Sequence, residues 1–195
     1  MTPRAAEKRE LILEHAKNVF IRKGFSQVTM KDIIEESNIS RGGIYLYFSS
    51  IDEIFVEVVK RRNQFKIQEI KYTIEKNNNF QKIMDDFFSE QKERLLNMDK
   101  SLYRAMMEYC CSHKHKSEKD FYLEQYLNTK NMVLELLKFG QEHKEITAEN
   151  IDCLADTIMY LIEGLRTLAV SSGISDKLVE EQLSICRNMM NSALF

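Results

Sequence analysis

Apolar residues spaced three and four apart recur along nearly the whole chain, a spacing that suits an α-helix and not a half-buried strand. From Arg9 to Lys23 the positions are Ile12, Ala16, Val19 and Phe20, and Gly24 follows the basic pair Arg22 and Lys23 as a stop signal. One proline, Pro3, and six glycines serve 195 residues, too few for the many turns of a sandwich or barrel of short strands. The expected class is all-α.

Thr29 stands before Met30, Ile33 and Ile34, with Asp32 three residues on, a capping box that opens a short second helix ending near Ser37. The polar turn "SNIS" follows, with Ile39 as its apolar anchor, and Ser40 is placed to cap a third helix. Ser50 and Glu53 repeat the box before a long fourth helix that carries Ile51, Ile54, Phe55, Val58 and Val59 and runs into the 70s. After a break at "EKNNNF", helical spacing returns over about 80–97, 101–113 and 118–139, with Gly140 closing the last. Two more helices suit 148–172 and 176–192, on either side of "SSGIS". This order divides into an N-terminal domain of residues 1–50, a connecting helix 51–76 and a helical domain 77–195.

Two short helices about a tight polar turn form the unit whose second helix enters the major groove of DNA while the first crosses the backbone. At roughly 100° per residue, Ile44 and Phe48 share one side of the third helix and can pack on Phe20, Ile33 and Ile34, while Gly42, Gly43, Leu46 and Tyr47 face away. Large apolar groups on such a face need a partner other than water. Arg41 can donate two hydrogen bonds to guanine, Leu46 can touch a thymine methyl, Tyr45 and Tyr47 can reach phosphates, and the glycines let backbone approach the duplex. Each glycine weakens a helix by about 1 kcal/mol, so something other than helix stability selects them. Charge leans the same way: residues 1–62 hold 11 Lys and Arg against 9 Asp and Glu, the remainder 17 against 21.

The stretch "GFSQVTMKDIIEESNISRGGIYLYFSSIDEIF" resembles the N-terminal domain of the TetR family of bacterial transcriptional regulators, over about residues 9–62. The resemblance implies an N-terminal three-helix helix-turn-helix domain followed by a helical-bundle ligand-binding and dimerisation domain. It further implies phosphate contacts from Thr29 and Lys31, with Ser40, Arg41, Gly42, Gly43, Tyr45, Leu46 and Tyr47 on the DNA-facing surface. One departure is Ile51, at a position where members of the family commonly carry a phosphate-contacting lysine.

The last two helices carry more apolar surface than one core contact needs. Leu154, Ile158, Ile162, Leu165, Leu183, Met189 and Met190 are expected at a homodimer interface, and Gly164 would permit close helix approach. Phe87, Phe88, Tyr103, Met106, Met107, Tyr109, Phe121, Tyr122 and Tyr126 are expected to line a small-molecule pocket, although aromatic and Met residues at this spacing also fill cores.

Charges interrupt every apolar run, so no membrane-spanning segment or signal peptide is expected and the location is cytoplasmic. The four cysteines lack CxxC spacing and read as reduced thiols. His113 and His115 beside Cys110 and Cys111 admit a metal or thiol sensor, but a helix end also favours histidine, and that reading is preferred. No metal and no catalytic residues are assigned: the chain has no Glu-x-x-His pair, no nucleophile setting and no phosphate loop. The expected function is a homodimeric regulator of operator DNA, a repressor released by a small-molecule inducer. The alternative is a helical protein-interaction module with the same shape.

Overall fold

The computed structural model describes residues 2–76, 79–113 and 116–191. Among these residues every regular element is helical. α1 (Pro3–Lys23) begins at Pro3 rather than Arg9, because proline at a first helical position loses an N–H that has no helical partner anyway. α2 is Met30–Ser37, α3 Arg41–Tyr45, α4 Ile51–Lys76 and α5 Phe80–Leu96. A single 3-10 turn, Met98–Lys100, precedes α6 (Tyr103–Ser112), and α7 (Lys116–Glu142), α8 (Ile151–Ser172) and α9 (Asp176–Met189) complete the order.

These helices form two compact units, Met1–Gln64 with Asp99–Tyr122, and Phe65–Met98 with Leu123–Phe195. The chain order read from sequence, 1–50, 51–76 and 77–195, does not coincide with them, because α6 packs with the N-terminal helices. In the first unit Ile12, Val19, Phe20, Ile33, Ile44, Phe48 and Phe55 meet Ala105, Tyr109 and Phe121 in one core. Truncating a fully buried phenylalanine such as Phe20 to alanine costs about 3 to 5 kcal/mol, so the core outweighs the weak propensity of α2 and α3 and sets their crossing.

The second unit buries Phe80, Met84, Phe88, Leu137, Leu154, Ile158, Ile162, Val179, Leu183 and Cys186 together. This corrects the expected dimer set. Leu154, Ile158, Ile162, Leu165, Leu183 and Met190 are at most 7% exposed within one chain, and Met189 packs against the same core. The stripe on α8 is wide because its inner half packs on α5 and α9. Its outer half carries Tyr160, 66% exposed, and Leu168, 41% exposed.

Gly140 does not stop α7, which continues to Glu142. A Cβ there would stand 2.6 Å from Phe80 and from Ile146, so glycine is needed for close packing. The chain turns instead at Lys144, φ 59°.

Candidate nucleic-acid interface

The turn unit is fastened from both ends. The Thr29 hydroxyl accepts the Asp32 N–H at 3.3 Å, and the Asp32 carboxylate accepts the Thr29 N–H at 2.8 Å, so the expected capping box is formed. Lys23 donates to the same carboxylate at 2.5 Å, and Arg22 pairs with Glu36 at 2.7 Å, tying α1 to α2. The Lys23 bond, followed by the Thr29 backbone and hydroxyl, holds the Asp32 carboxyl down at about 2. Asn38 ends α2 in the left-handed region, φ 53°, a conformation that asparagine tolerates.

Ser40 caps α3 by accepting the Gly43 N–H at 3.2 Å. Beyond Tyr45 the helix tightens: Tyr47 N–H donates to the Ile44 carbonyl at 2.9 Å and Phe48 N–H to the same oxygen at 3.0 Å. Ile44 and Phe48 are buried. The opposite side is open, with Leu46 82% exposed, Tyr45 44% exposed, and nothing within 4 Å of a Cβ built at Gly42. The Arg41 guanidinium lies 5.6 Å from the Tyr45 ring centre, a contact that aligns both side chains on that side.

Of the residues expected to touch DNA, Thr29, Lys31, Ser40, Arg41, Gly42, Tyr45 and Leu46 are exposed around one turn. Lys31 pairs with Glu35 at 3.6 Å, a pair too solvated to fix it. Two residues differ from expectation. Tyr47 is half-buried against the core, because the helix ends before the 100° stepping reaches it. Gly43 is required sterically, since a Cβ would lie 2.8 Å from Ile39 and 3.1 Å from the Ser40 hydroxyl. Ile51, at the departure from the expected lysine, packs on the core. The second capping box is shared between two serines: Ser50 accepts the Glu53 N–H at 3.1 Å, whereas the Glu53 carboxylate accepts the Ser49 N–H at 2.6 Å.

Sequence reasoning missed what α6 does here. Arg104 donates to the carbonyl of Arg22 at 3.2 Å, the Glu108 carboxylate accepts the Ser26 N–H at 2.8 Å, and His113 meets Asp52 of α4 at 2.5 Å. Phe25 sits among Phe20, Phe55, Tyr109 and His113. The bare Gly24–Phe25 pair was the signal available in sequence, and it names no partner.

The residues expected to line a pocket are divided between the two units. Tyr103, Met106, Met107, Tyr109, Phe121 and Tyr122 belong to the first unit, with Tyr109 and Phe121 buried in its core. Phe87, Phe88 and Tyr126 belong to the second. Phe88 lines a groove of about 380 Å³ between α5 and α9, bridged by Lys92 to Glu180 at 2.8 Å and by Arg187 to Asp85. Among the described residues no three His, Cys, Asp or Glu come together as a metal site. His115 lies outside the described residues. Cys110 and Cys111 are free, and burial pushes the Cys110 thiol up to about 11.

Residues 12–58 match the profile of "Bacterial regulatory proteins, tetR family", and residues 82–178 match that of "Tetracyclin repressor-like, C-terminal domain". The chain is similar to the uncharacterized HTH-type transcriptional regulator YfiR of Bacillus subtilis, 36% identical over 125 residues, a match covering 64% of this chain and 60% of that relative. Its fold is that of E. coli NemR in its reduced form, with TM-score 0.79, 15% identity and coverage of 94% and 98%. The FadR regulator of Bacillus subtilis in complex with stearoyl-CoA also shares it, with TM-score 0.71, 17% identity and coverage of 93% and 97%.

Proposed function

The chain belongs to the TetR family of bacterial regulatory proteins, and from that premise we propose that it is a sequence-specific DNA-binding transcriptional regulator, a repressor that leaves its operator when a small molecule binds. The observation that carries this reading is the open side of α3. Leu46 at 82% exposure, with Gly42 and Arg41 beside it, costs free energy in water and suits the edges of a duplex. Thr29 and Lys31 at the start of α2 would contact phosphates in this reading, as would Ser40, Tyr45 and Tyr47 around α3. The proposed division keeps DNA reading in residues 1–50, with effector and dimer functions in 77–195 and helix 51–76 between. No described helix is long and apolar enough to cross a membrane, and action on DNA implies the cytoplasm.

A second copy is the proposed occupant of the outer face of α8 and α9. Tyr160, Leu168 and Ile185 are exposed there, and nothing stands within 4 Å of a Cβ built at Gly164. A two-fold pairing would place two reading heads on half-sites about 34 to 36 Å apart, or a multiple of it. An amphipathic effector is supported by the acyl-CoA ligand of FadR. It would act by favouring the conformation whose heads are wrongly spaced, through its differential affinity for the two states.

The test is selection of duplexes from random sequence, followed by Arg41→Ala. The variant should lose roughly 1 to 3 kcal/mol and relax preference at one base pair per half-site. Uniform weakening on all sequences would make Arg41 a phosphate contact. If no duplex is selected, or binding ignores salt, the same shape is an interaction module for protein.

A further inference from the structure

α2 runs back along α1. Asp32 at its start accepts from the Lys23 ammonium at 2.5 Å, and Glu36 a turn later accepts from the Arg22 guanidinium at 2.7 Å. The Arg22 bond first, and lastly the charge of His15, hold the Glu36 carboxyl below its ordinary range. Past the turn, the end of the reading segment closes on the N-terminal half of α1: the Arg9 guanidinium lies 5.0 Å from the ring centre of Phe48 and pairs with Glu57 of α4. Asp32, Glu36 and Phe48 therefore meet α1 at Lys23, Arg22 and Arg9 in turn, and the first turns of α1 stand beside the segment that carries Arg41 and Leu46.

Two cations occupy those first turns. At roughly 100° per residue, Arg4, Lys8, His15 and Arg22 share one flank of α1, the flank from which Arg22 reaches α2. With about 1.5 Å of rise per residue, Arg4 lies within about 8 Å of Arg9 along the axis. Arg9, Lys17, Arg22 and Lys23 each pair with a carboxylate. Among the described residues Arg4 and Lys8 form no ion pair, both are exposed, and the first turn of α1 holds no acidic residue. Two unpaired cations a turn apart, beside an open reading face, make a positive edge that a polyanion can follow. The start of α4 offers no such edge: the Glu53 carboxylate accepts the Ser49 N–H at 2.6 Å and the Ser49 hydroxyl at 2.7 Å, and Asp52 adds a second acid to the same turn.

We propose that Arg4 and Lys8 form a phosphate-binding site on α1: with α3 in the major groove, they meet the DNA backbone beside it and hold the duplex without reading its sequence. The inference rests on the DNA-binding reading above. Each contact releases condensed counterions, so its signature is a share of the salt dependence that is the same on every sequence.

The experiment uses the full chain, a duplex selected from random sequence by the wild type and an unrelated duplex of equal length, with affinity measured at several salt concentrations. Arg4→Gln and Lys8→Gln should each lower the slope of log affinity against log salt by about 0.9, and the double variant by about twice that. At about 0.1 M salt each should cost roughly fivefold to tenfold on both duplexes, leaving the preference between them unchanged. Arg4→Lys should keep the wild-type slope, as should Lys17→Gln, whose side chain pairs with Glu14 on the opposite flank of α1. Circular dichroism checks folding, and if one glutamine variant does not fold, the other decides alone. A wild-type slope in the folded glutamine variants, a loss confined to the selected duplex, or an equal loss in Lys17→Gln overturns the inference while leaving the DNA-binding reading intact. Failure of the wild type to select any duplex overturns that reading, and this inference with it.

Discussion

The carboxylate of Glu108 occupies the space that a side chain at Gly24 would need: both oxygens lie 2.5 Å from the position of a Cβ there. Gly24 also has φ 78° and ψ 178°, a region that other residues avoid. Gly24→Ala should destabilise the chain by about 1 to 3 kcal/mol in urea unfolding. In the Glu108→Ala background the cost should shrink toward the backbone component alone, because the collision is gone. Additive effects in the double variant would show that the two residues do not meet in solution.

The capping box should give α2 an acid-sensitive element. Because folding lowers the Asp32 carboxyl to about 2, its contribution is present above the ordinary aspartate value near 4 and is lost as pH falls toward that depressed value. Asp32→Asn should cost roughly 1 kcal/mol at neutral pH, the scale of a cap with a solvated ion pair. The gap between wild type and variant, followed by urea midpoint, should close by about pH 2. A gap that widens on acidification would assign the effect to another group.

The two glycines of α3 should behave differently. Gly42→Ala meets nothing in the free chain, so folding should be unchanged or improved by up to about 1 kcal/mol. Its affinity for selected DNA should nonetheless drop by roughly tenfold or more if backbone there approaches the duplex. Gly43→Ala must push Ile39 or the Ser40 cap aside and should lower the unfolding midpoint. Equal DNA affinity in Gly42→Ala and wild type would remove this part of the surface from the proposed contact.

Leu168→Glu tests the outer face of α8, since Leu168 is 41% exposed in one chain and a charge there should leave the monomer folded. Sedimentation equilibrium should show dimer weakened by roughly 1.5 to 3 kcal/mol, the transfer value of a buried leucine. Gly164→Leu should act in the same direction by filling the space a second helix would use. An unaltered dimer in both would move the interface elsewhere.

The helical class and the capped turn at Thr29–Ser40 were legible in the sequence because they are written locally, in spacings of three and four residues and in side chains that bond backbone three residues on. The open side of α3 was legible for the same reason as far as Leu46; Tyr47 was not, because the helix ends before it. Which half of the α8 stripe lies inside was hidden, since Leu154 and Leu168 are equally apolar in sequence and only packing on α5 and α9 separates them.

The sequence by itself therefore determined the helical class, the capped turn at Thr29–Ser40 and the open side of α3 as far as Leu46, all carried by neighbours within a few positions. The tertiary structure alone decided that α6 joins the N-terminal unit, that Glu108 fills the place beside Gly24, and that His113 finds Asp52. Those pairings join residues 61 to 84 positions apart. They exist because burying Tyr109, Phe55 and Phe20 together brings the helix ends within hydrogen-bond reach, and no local spacing encodes such a meeting.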